Sequence, residues 1–506
     1  MRFIAFLIAS CLFCSEAARA EPIGEAGLLK HIEILASDAF EGRAPGTLGE
    51  NRTVNYIATQ WARSGLRPAG EKGAWYAPVA LIERRPESYQ ISFSGRSGGK
   101  SAGVEQDQII LRGRSPSFRK SQMPVVFAGF AQAESEPQSV AGKLVLIPRA
   151  PLDDSDGIPS FQARKRQLIN DGAIGVLSVV ARQDRWTAFR RFFERPSTDL
   201  SGDENHAPLE GLISFDQFRK LTAQAGLDAG ALLADRDDIS AIDLGMVADA
   251  EAETQIRNYI SHNVIGKIPG ANPDAGGLLF MGHWDHFGIC RTEDPRDPGK
   301  DRICNGAVDN ASGMSLLIEV ANRLAKEDHD RDIYFLATTA EEKGLLGARA
   351  FIENPSVAFD RLVVAFNADT IALSDDGKKI AVIGLGRAGL DQEIGAVAAQ
   401  EGREIDRSGT ADPYLARQDG YIFLERAIPA YMISSAFADA ARLKTYLDGP
   451  YHDVSDEVND TLLLTGAAAD ANFHVALGRY FGSTARYPGK APSGVRARHH
   501  HVGNCA

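Results

Sequence analysis

Gly282-His283-Trp284-Asp285-His286-Phe287-Gly288 is the stretch on which the fold and the chemistry turn. Leu278-Leu279-Phe280-Met281 precede it, a short apolar run of the kind that forms a buried strand. A strand that ends in Gly and then presents His-x-Asp offers a neutral imidazole, a natural zinc ligand. A carboxylate two residues on can orient that imidazole from behind.

Downstream, apolar runs alternate with helix-like stretches. Asn310 to Lys326 places Leu316, Leu317, Val320, Ala321 and Leu324 on one helical face, with Ser312 expected to cap it. Ile333 to Thr338, Arg361 to Asn367, Ile380 to Ile383 and Ile428 to Ile433 read as further strands, and 459–482 as a closing helix. Such alternation predicts an α/β fold, a mostly parallel mixed sheet sandwiched by helices. In these sheets ligands bind outside the C-terminal ends of the strands.

Upstream, Leu28, Ile32 and Leu35 open a first amphipathic run, and Tyr56-Ile57 to Trp61 a second. The loop Ser37 to Thr47 between them is rich in helix breakers. Residues 85–253 change character. Tyr89 to Phe93, Gln108 to Leu111, Val125 to Phe130, Lys143 to Ile147 and Gly172 to Leu177 read as strands, and Phe161 to Asn170 as a helix. This stretch reads as an inserted, β-rich binding or lid domain, with a plain spacer as the alternative. The expected organisation is 1–20 signal peptide, 21–84 with 254–484 as one discontinuous domain, 85–253 as the insert, and 485–506 as a disordered tail.

At 506 residues the chain exceeds one ordinary core, so two or more domains are expected. Its 44% hydrophobic and 24% charged content are those of a soluble globular protein. A net charge of −12 argues against a general binder of nucleic acid or of anionic membranes. Arg2, the apolar Phe3 to Phe13 and the small-x-small Ala18-Arg19-Ala20 read as a secretory signal, so the mature protein is expected to be periplasmic or secreted. No membrane insertion is expected after signal removal. Ile8-Ala9-Ser10-Cys11 has the form of a lipoprotein cleavage box, so a lipid anchor at Cys11 stays open. Cys290 and Cys304 flank a polar loop, where an oxidising compartment would permit a disulfide; Cys505 is left odd. His499-His500-His501 reads as a solvated tail.

The ends of the expected strands carry the chemistry. The first ends in His283 and Asp285, and the helix after the next loop is entered through Asp309. Strand 333–338 leads to Glu341-Glu342, strand 361–367 to Asp369, and a later loop supplies Tyr451-His452. Singly, each has a bland explanation: a helix cap for Asp309, a solvated pair for the two Glu, a turn for Asp369, a surface histidine for His452. Jointly, the bland explanation needs a coincidence in every segment. Two His and three carboxylates suit two divalent ions sharing a bridging carboxylate. In the adjacent Glu pair, one can coordinate metal while its neighbour stays free to take a proton from water.

The chain resembles the di-zinc aminopeptidase family, whose relatives include glutamate carboxypeptidase, glutaminyl cyclase and the transferrin receptor. The likeness rests on Gly282 to His286, Gly306 to Gly313, Ala340-Glu341-Glu342, Asn367-Ala368-Asp369 and Tyr451 to Asp456. Ser37 to Gly46 and Asn263 to Gly266 add to it, and Ala141 to Leu146 resembles that family's inserted protease-associated domain. The resemblance implies two zinc ions per chain, with His283 and Asp369 on one, Glu342 and His452 on the other, and Asp309 bridging. It implies Glu341 as general base and then acid, Asp285 holding His283 from behind, and Tyr451 donating to the oxyanion. The implied activity is a zinc-dependent exopeptidase, an aminopeptidase releasing N-terminal residues from peptide substrates by metal-activated water. A carboxypeptidase-like relative and a non-catalytic binding protein on the same fold are the alternatives. The long His283–Asp309 segment, Thr370-Ile371-Ala372 and Arg417 to Tyr421 depart from the family pattern and bear on specificity.

Overall fold

The computed structural model describes residues 21–489 except 97–102, 130–136, 150–156, 204–205, 235–240, 293–294 and 359–360. The expected signal peptide, Cys11, the tail histidines and Cys505 lie outside the described residues.

The described residues open with helices α1 (Glu25–Leu35) and α2 (Leu48–Arg63). Thr47 starts α2 by accepting from the Glu50 backbone N–H, and Val54, Ile57, Ala58 and Trp61 form its buried face. The 20-residue strand β1 (Tyr76–Gly95) then leaves the first part of the molecule. The next elements are β2 (Ile109–Gly113), β3 (Ser117–Phe127), β4 (Leu144–Pro148), α3 (Gly157–Asn170) and β5 (Gly175–Val180). After them come α4 (Trp186–Glu194), β6 (Ser197–Leu200), β7 (Leu209–Ser214) and α5 (Phe215–Gln224). The 27-residue strand β8 (Ile242–Ile268) returns, antiparallel to β1 along its whole length. Positions 85 and 254 therefore fall inside continuous strands, not in loops: Arg85 pairs with Gln255 and Pro86 with Thr254.

The remaining elements are β9 (Gly277–His283), α6 (Gly313–Leu324), β10 (Asp332–Thr338), α7 (Leu346–Glu353) and β11 (Leu362–Asn367). β12 (Lys379–Ile383), α8 (Asp391–Gln400), β13 (Ala430–Ser434) and α9 (Leu464–Gly482) follow, with shorter elements between them. Their sheet runs β12-β13-β11-β9-β10-β8. β13, β11, β9 and β10 are mutually parallel, with antiparallel β12 and β8 at the flanks. This is the mostly parallel mixed sheet expected from the sequence.

Both faces of β9 are covered, which explains its unbroken apolar run. Phe280 stacks on Phe335 and Phe366 at 5.4 and 5.5 Å on the face that carries α1, α6 and α9. Leu279 and Met281 point the other way, into a core shared with Phe351 and Ile352 of α7.

Residues 85–253 hold more strand than helix, with helices interleaved between the strands. Strands β3, β4, β5 and β7 run parallel, and parallel neighbours need crossovers, here supplied partly by α3 and α4. Their apolar faces form cores of their own, around Phe127 and Phe218 on one side and Val145 and Val176 on the other. No described helix is long and apolar enough to cross a membrane.

Ser312 does not cap α6. Its hydroxyl donates to Val308 O at 2.6 Å, and Gly313 N donates instead to Asn310 Oδ1 at 3.0 Å. The chain enters this helix through an irregular turn, which puts Asn310 where a cap is wanted.

One histidine in residues 85–253 is charged by its surroundings. His206 lies 3.0 Å from Asp199 and 3.2 Å from Glu210, which are themselves paired with Arg84 and Lys165. Burial opposes the proton, but the two carboxylates outweigh it and lift the pKa from 6.5 to about 9. The folded-state pKa is raised, so this stabilisation is complete below pH 6.5 and disappears as pH rises through about 9. Denaturant unfolding followed across that window should show falling stability, with a shallower fall in His206→Gln.

Candidate active site

The parallel register aligns the strand ends. His283 closes β9 opposite Thr338 of β10, and Met281 is opposite Asn367 of β11. Glu341 and Glu342 follow β10 and Asp369 follows β11, at the same edge. Asp309 comes from the turn that enters α6, and His452 from the loop after the helix Ala440–Asp448. Ala340, Thr370 and His452 all have φ in the left-handed region (52°, 53° and 61°), strain that the surrounding packing must sustain.

The side chains converge around Asp309. Its Oδ1 is 3.2 Å from His283 Nε2, which is 3.6 Å from Asp369 Oδ1. Its Oδ2 is 3.3 Å from His452 Nε2, which is 3.1 Å from Glu342 Oε2. One carboxylate thus faces two donor sets through its two oxygens. Glu341 stands beside them, with Oε2 4.0 Å from His283 Nε2. All the residues expected from sequence to act together are brought together.

Two expected contacts are realised differently. The Asp285 carboxylate lies 3.8 Å from His283 Nδ1, and it is the Asp285 backbone carbonyl, at 3.1 Å, that meets the ring nitrogen. The carboxylate instead accepts the Glu341 backbone N–H at 3.0 Å, because the turn after His283 carries it toward β10. Tyr451 stacks on the His452 ring at 3.6 Å, and its hydroxyl lies 3.5 Å from an Arg417 N–H.

Residues to which the sequence reading assigned no role hold the frame. Arg43 is fully buried and donates to the carbonyls of Leu35, Trp284, Asn305 and Gly306, tying the His283 segment to the Asp309 loop. Asp456 accepts from the backbone N–H of Val308 and Asp309 and from the Tyr446 hydroxyl. Asn310 Nδ2 donates to His283 O and Ala368 O, bridging the ends of β9 and β11. Asp419 Oδ2 accepts from Thr338 Oγ1 at 2.5 Å beneath the cluster. Gly306 has φ 56°, and a Cβ there would stand 2.0 Å from Asp309 O. His286, quoted above only as part of a motif, is wholly buried with Nδ1 2.7 Å from Glu342 Oε1. The H-x-D-H spacing was the available signal for it.

The electrostatics follow from burial. Burial alone would lower the His283 pKa, but Glu341, Asp309 and Asp369 hold it well above its usual value. His452 is likewise lifted to about 9 against burial by Asp309 and Glu342. Asp309 is held well below the carboxylate range by His283 and His452, although burial opposes this. Burial, aided by the charges of Glu342, Asp419 and Asp369, pushes Glu341 well up. Asp285 rises to about 7 and Asp419 to about 6, chiefly through burial.

Among the described residues, His286 Nδ1 and Nε2, His452 Nε2, Glu342 Oε1 and Asp285 Oδ2 are buried without a hydrogen-bond partner. Unpaired buried polar atoms are costly, and most of these belong to borderline metal donors facing one another. The groups His283-Asp309-Asp369 and His286-Asp309-Glu342 each bring their ligand atoms within 4.8 Å of one another. The residues fit two divalent ions. A cleft opens over them, with His283, Asp309, Glu341 and Asp369 in its lining. Met432, Phe437, Leu443, Leu447 and Tyr414 form an apolar wall, and Arg417 adds a cation. The lining residues fall between 283 and 451, and no described residue of 85–253 is among them.

Comparison with known proteins gives a consistent picture. Residues 263–475 match peptidase family M28. Aminopeptidase YwaD of Bacillus subtilis is 40% identical over 119 residues, 23% of each chain. A vacuolar membrane protease of Lachancea thermotolerans is 30% identical over 105 residues, 21% of this chain and 10% of that one. An acetylornithine deacetylase of Buchnera aphidicola is 29% identical over 161 residues, 30% of this chain and 42% of that one. The match thus spans less than half the length of these curated relatives. The solved structure of the aminopeptidase from Aneurinibacillus sp. strain AM-1 shares the fold at a TM-score of 0.53 and 17% identity, covering 90% of this chain and 94% of that one.

Removing the Asn310 brace should orphan the carbonyls of His283 and Ala368. Asn310→Ala is expected to cost about 2–6 kcal/mol, for two carbonyls at roughly 1–3 kcal/mol per unpaired buried group, read by denaturant unfolding of the metal-free protein.

Proposed function

We propose that this chain, which belongs to peptidase family M28 over residues 263–475, is a secreted or periplasmic aminopeptidase with two zinc ions at its active site. The observation that carries the reading is the Asp309 carboxylate, whose two oxygens each face an imidazole and a second carboxylate. In this reading His283, Asp309 and Asp369 hold one ion, and Asp309, Glu342 and His452 the other. Such ions supply Lewis acidity and lower the pKa of water.

The protein's own groups do the remaining work. Glu341 is the carboxylate of the cluster that lines the cleft without serving either ion, and its raised pKa suits a group that takes a proton and later delivers it to the leaving amine. Asp285 steadies Glu341 through its backbone N–H. The Tyr451 phenol, raised by burial, stays protonated and able to donate to a developing oxyanion. The apolar wall favours an uncharged substrate side chain. The aminopeptidases among the similar proteins support the choice of peptide N-termini.

The location rests on the leader-like residues 1–20 and on the Cys290–Cys304 disulfide, a bond that persists in oxidising compartments. Residues 85–253 are assigned as a protease-associated-like domain on the likeness of Ala141 to Leu146. The second reading, a carboxypeptidase-like enzyme, is favoured by Arg417, whose exposed guanidinium at the cleft could receive a free carboxylate.

Zinc-loaded protein should hydrolyse aminoacyl-anilides with a free amine and spare their N-acetylated counterparts. Glu341→Gln should lower kcat by about 10²–10⁴-fold with metal content unchanged. Cleavage confined to N-blocked, free-carboxylate peptides and lost in Arg417→Met would transfer the assignment to the second reading. With no cleavage of either class while two metals are bound, the non-catalytic alternative would stand.

A further inference from the structure

The two donor sets around Asp309 are not equivalent. The set at Oδ1 offers one imidazole, His283, and one further carboxylate, Asp369. The set at Oδ2 has His452 against Glu342 Oε2, and on the opposite oxygen of the same carboxylate a second imidazole, His286. We infer that His286 is a fourth protein donor at the second metal position, which makes that position nitrogen-rich and tighter, and leaves the first oxygen-rich and exchangeable. This rests on the two-metal reading of the site.

Three observations carry it. The His286 ring is 0% exposed, yet neither of its nitrogens has a hydrogen-bond partner. Its Nδ1 approaches Glu342 Oε1 to 2.7 Å without the alignment of a hydrogen bond, and that oxygen is also unpartnered. Two polar atoms that close, neither with a hydrogen-bond partner, can share a third group between them. The ligand-capable atoms of His286, Asp309 and Glu342 lie within 4.8 Å of one another.

The surroundings hold the ring in place. Gly306 leaves room for it, since a Cβ there would stand 2.7 Å from the His286 ring carbons. The His286 and His452 rings are 5.8 Å apart and inclined by 63°, so two imidazoles reach Glu342 from different directions. His286 comes from the buried end of the β9 segment, whereas the His452 side chain is 31% exposed on a loop. One donor is thus rigid and the other more accessible.

Imidazole-rich sets select zinc and copper, whereas carboxylate-rich sets also admit manganese and magnesium. The second position should fill first and resist exchange, and the first should accept manganese or cobalt in place of zinc.

The test uses the mature protein stripped of metal and titrated with zinc by calorimetry, then with Co(II). Two unequal steps are expected, and His286→Gln should weaken the tighter step by more than about 10-fold while sparing the weaker one. In Co(II)-loaded wild-type protein, hyperfine-shifted imidazole N–H resonances should appear from both His286 and His452 at the first equivalent and from His283 only at the second. This second measurement does not depend on the variant folding. Binding of fewer than two metals by the wild type would sink the two-metal reading itself. Two metals bound with no His286 resonance, or with both steps weakened equally in His286→Gln, would overturn the role given to His286 and leave that reading intact.

Discussion

Everything at the active edge depends on where one carboxylate is held. Asp309 stands between His283 and His452, 3.2 and 3.3 Å from their Nε2 atoms, and a displacement of a fraction of an ångström would spoil both contacts. Its position is over-determined. Asp456 grips the backbone on either side of the Val308–Asp309 peptide, Asn310 crosses to two strand ends, and Arg43 collects the carbonyls of Asn305 and Gly306 just upstream. The parallel sheet supplies the rigid base against which these braces act.

The second constraint is charge. The site gathers carboxylates in a buried environment, where burial penalises each negative charge and the charges repel one another. The fold meets this with imidazoles directed at Asp309 and Glu342, and with the buried Arg43 guanidinium, near the charges of Asp456, Asp309, Asp285 and Glu342, though burial drags its own pKa down to about 10. Where burial outweighs these cations, as at Glu341, Asp285 and Asp419, the pKa rises. The same field therefore separates groups suited to holding a cation from a group suited to carrying a proton.

The architecture was legible because parallel strands buried on both faces leave long apolar runs, and because helices between them keep a period of their own. The edge where chemistry occurs followed from that topology. His283, Asp309, Glu341, Glu342, Asp369 and His452 could be named because ligand-type residues at successive strand ends are hard to explain otherwise. The supporting residues were not legible. Arg43 reads as one more charge in a breaker-rich loop, and Asp419 as part of an altered motif. Only the fold shows that the first meets four carbonyls and the second sits under Thr338.

What the sequence by itself determined was the sheet, the order of the strands that carry donors, and the set of residues that chemistry would need. Those depend on local periodicity and on residue type, which the chain records position by position. Tertiary structure alone decided which oxygen faces which nitrogen: that the Asp285 carboxylate turns to Glu341 and not to His283, that Asn310 and not Ser312 caps the helix, and that His286 reaches Glu342. Contacts of this kind are set by how distant backbone segments pack, at a precision of tenths of an ångström, and no spacing along the chain encodes that.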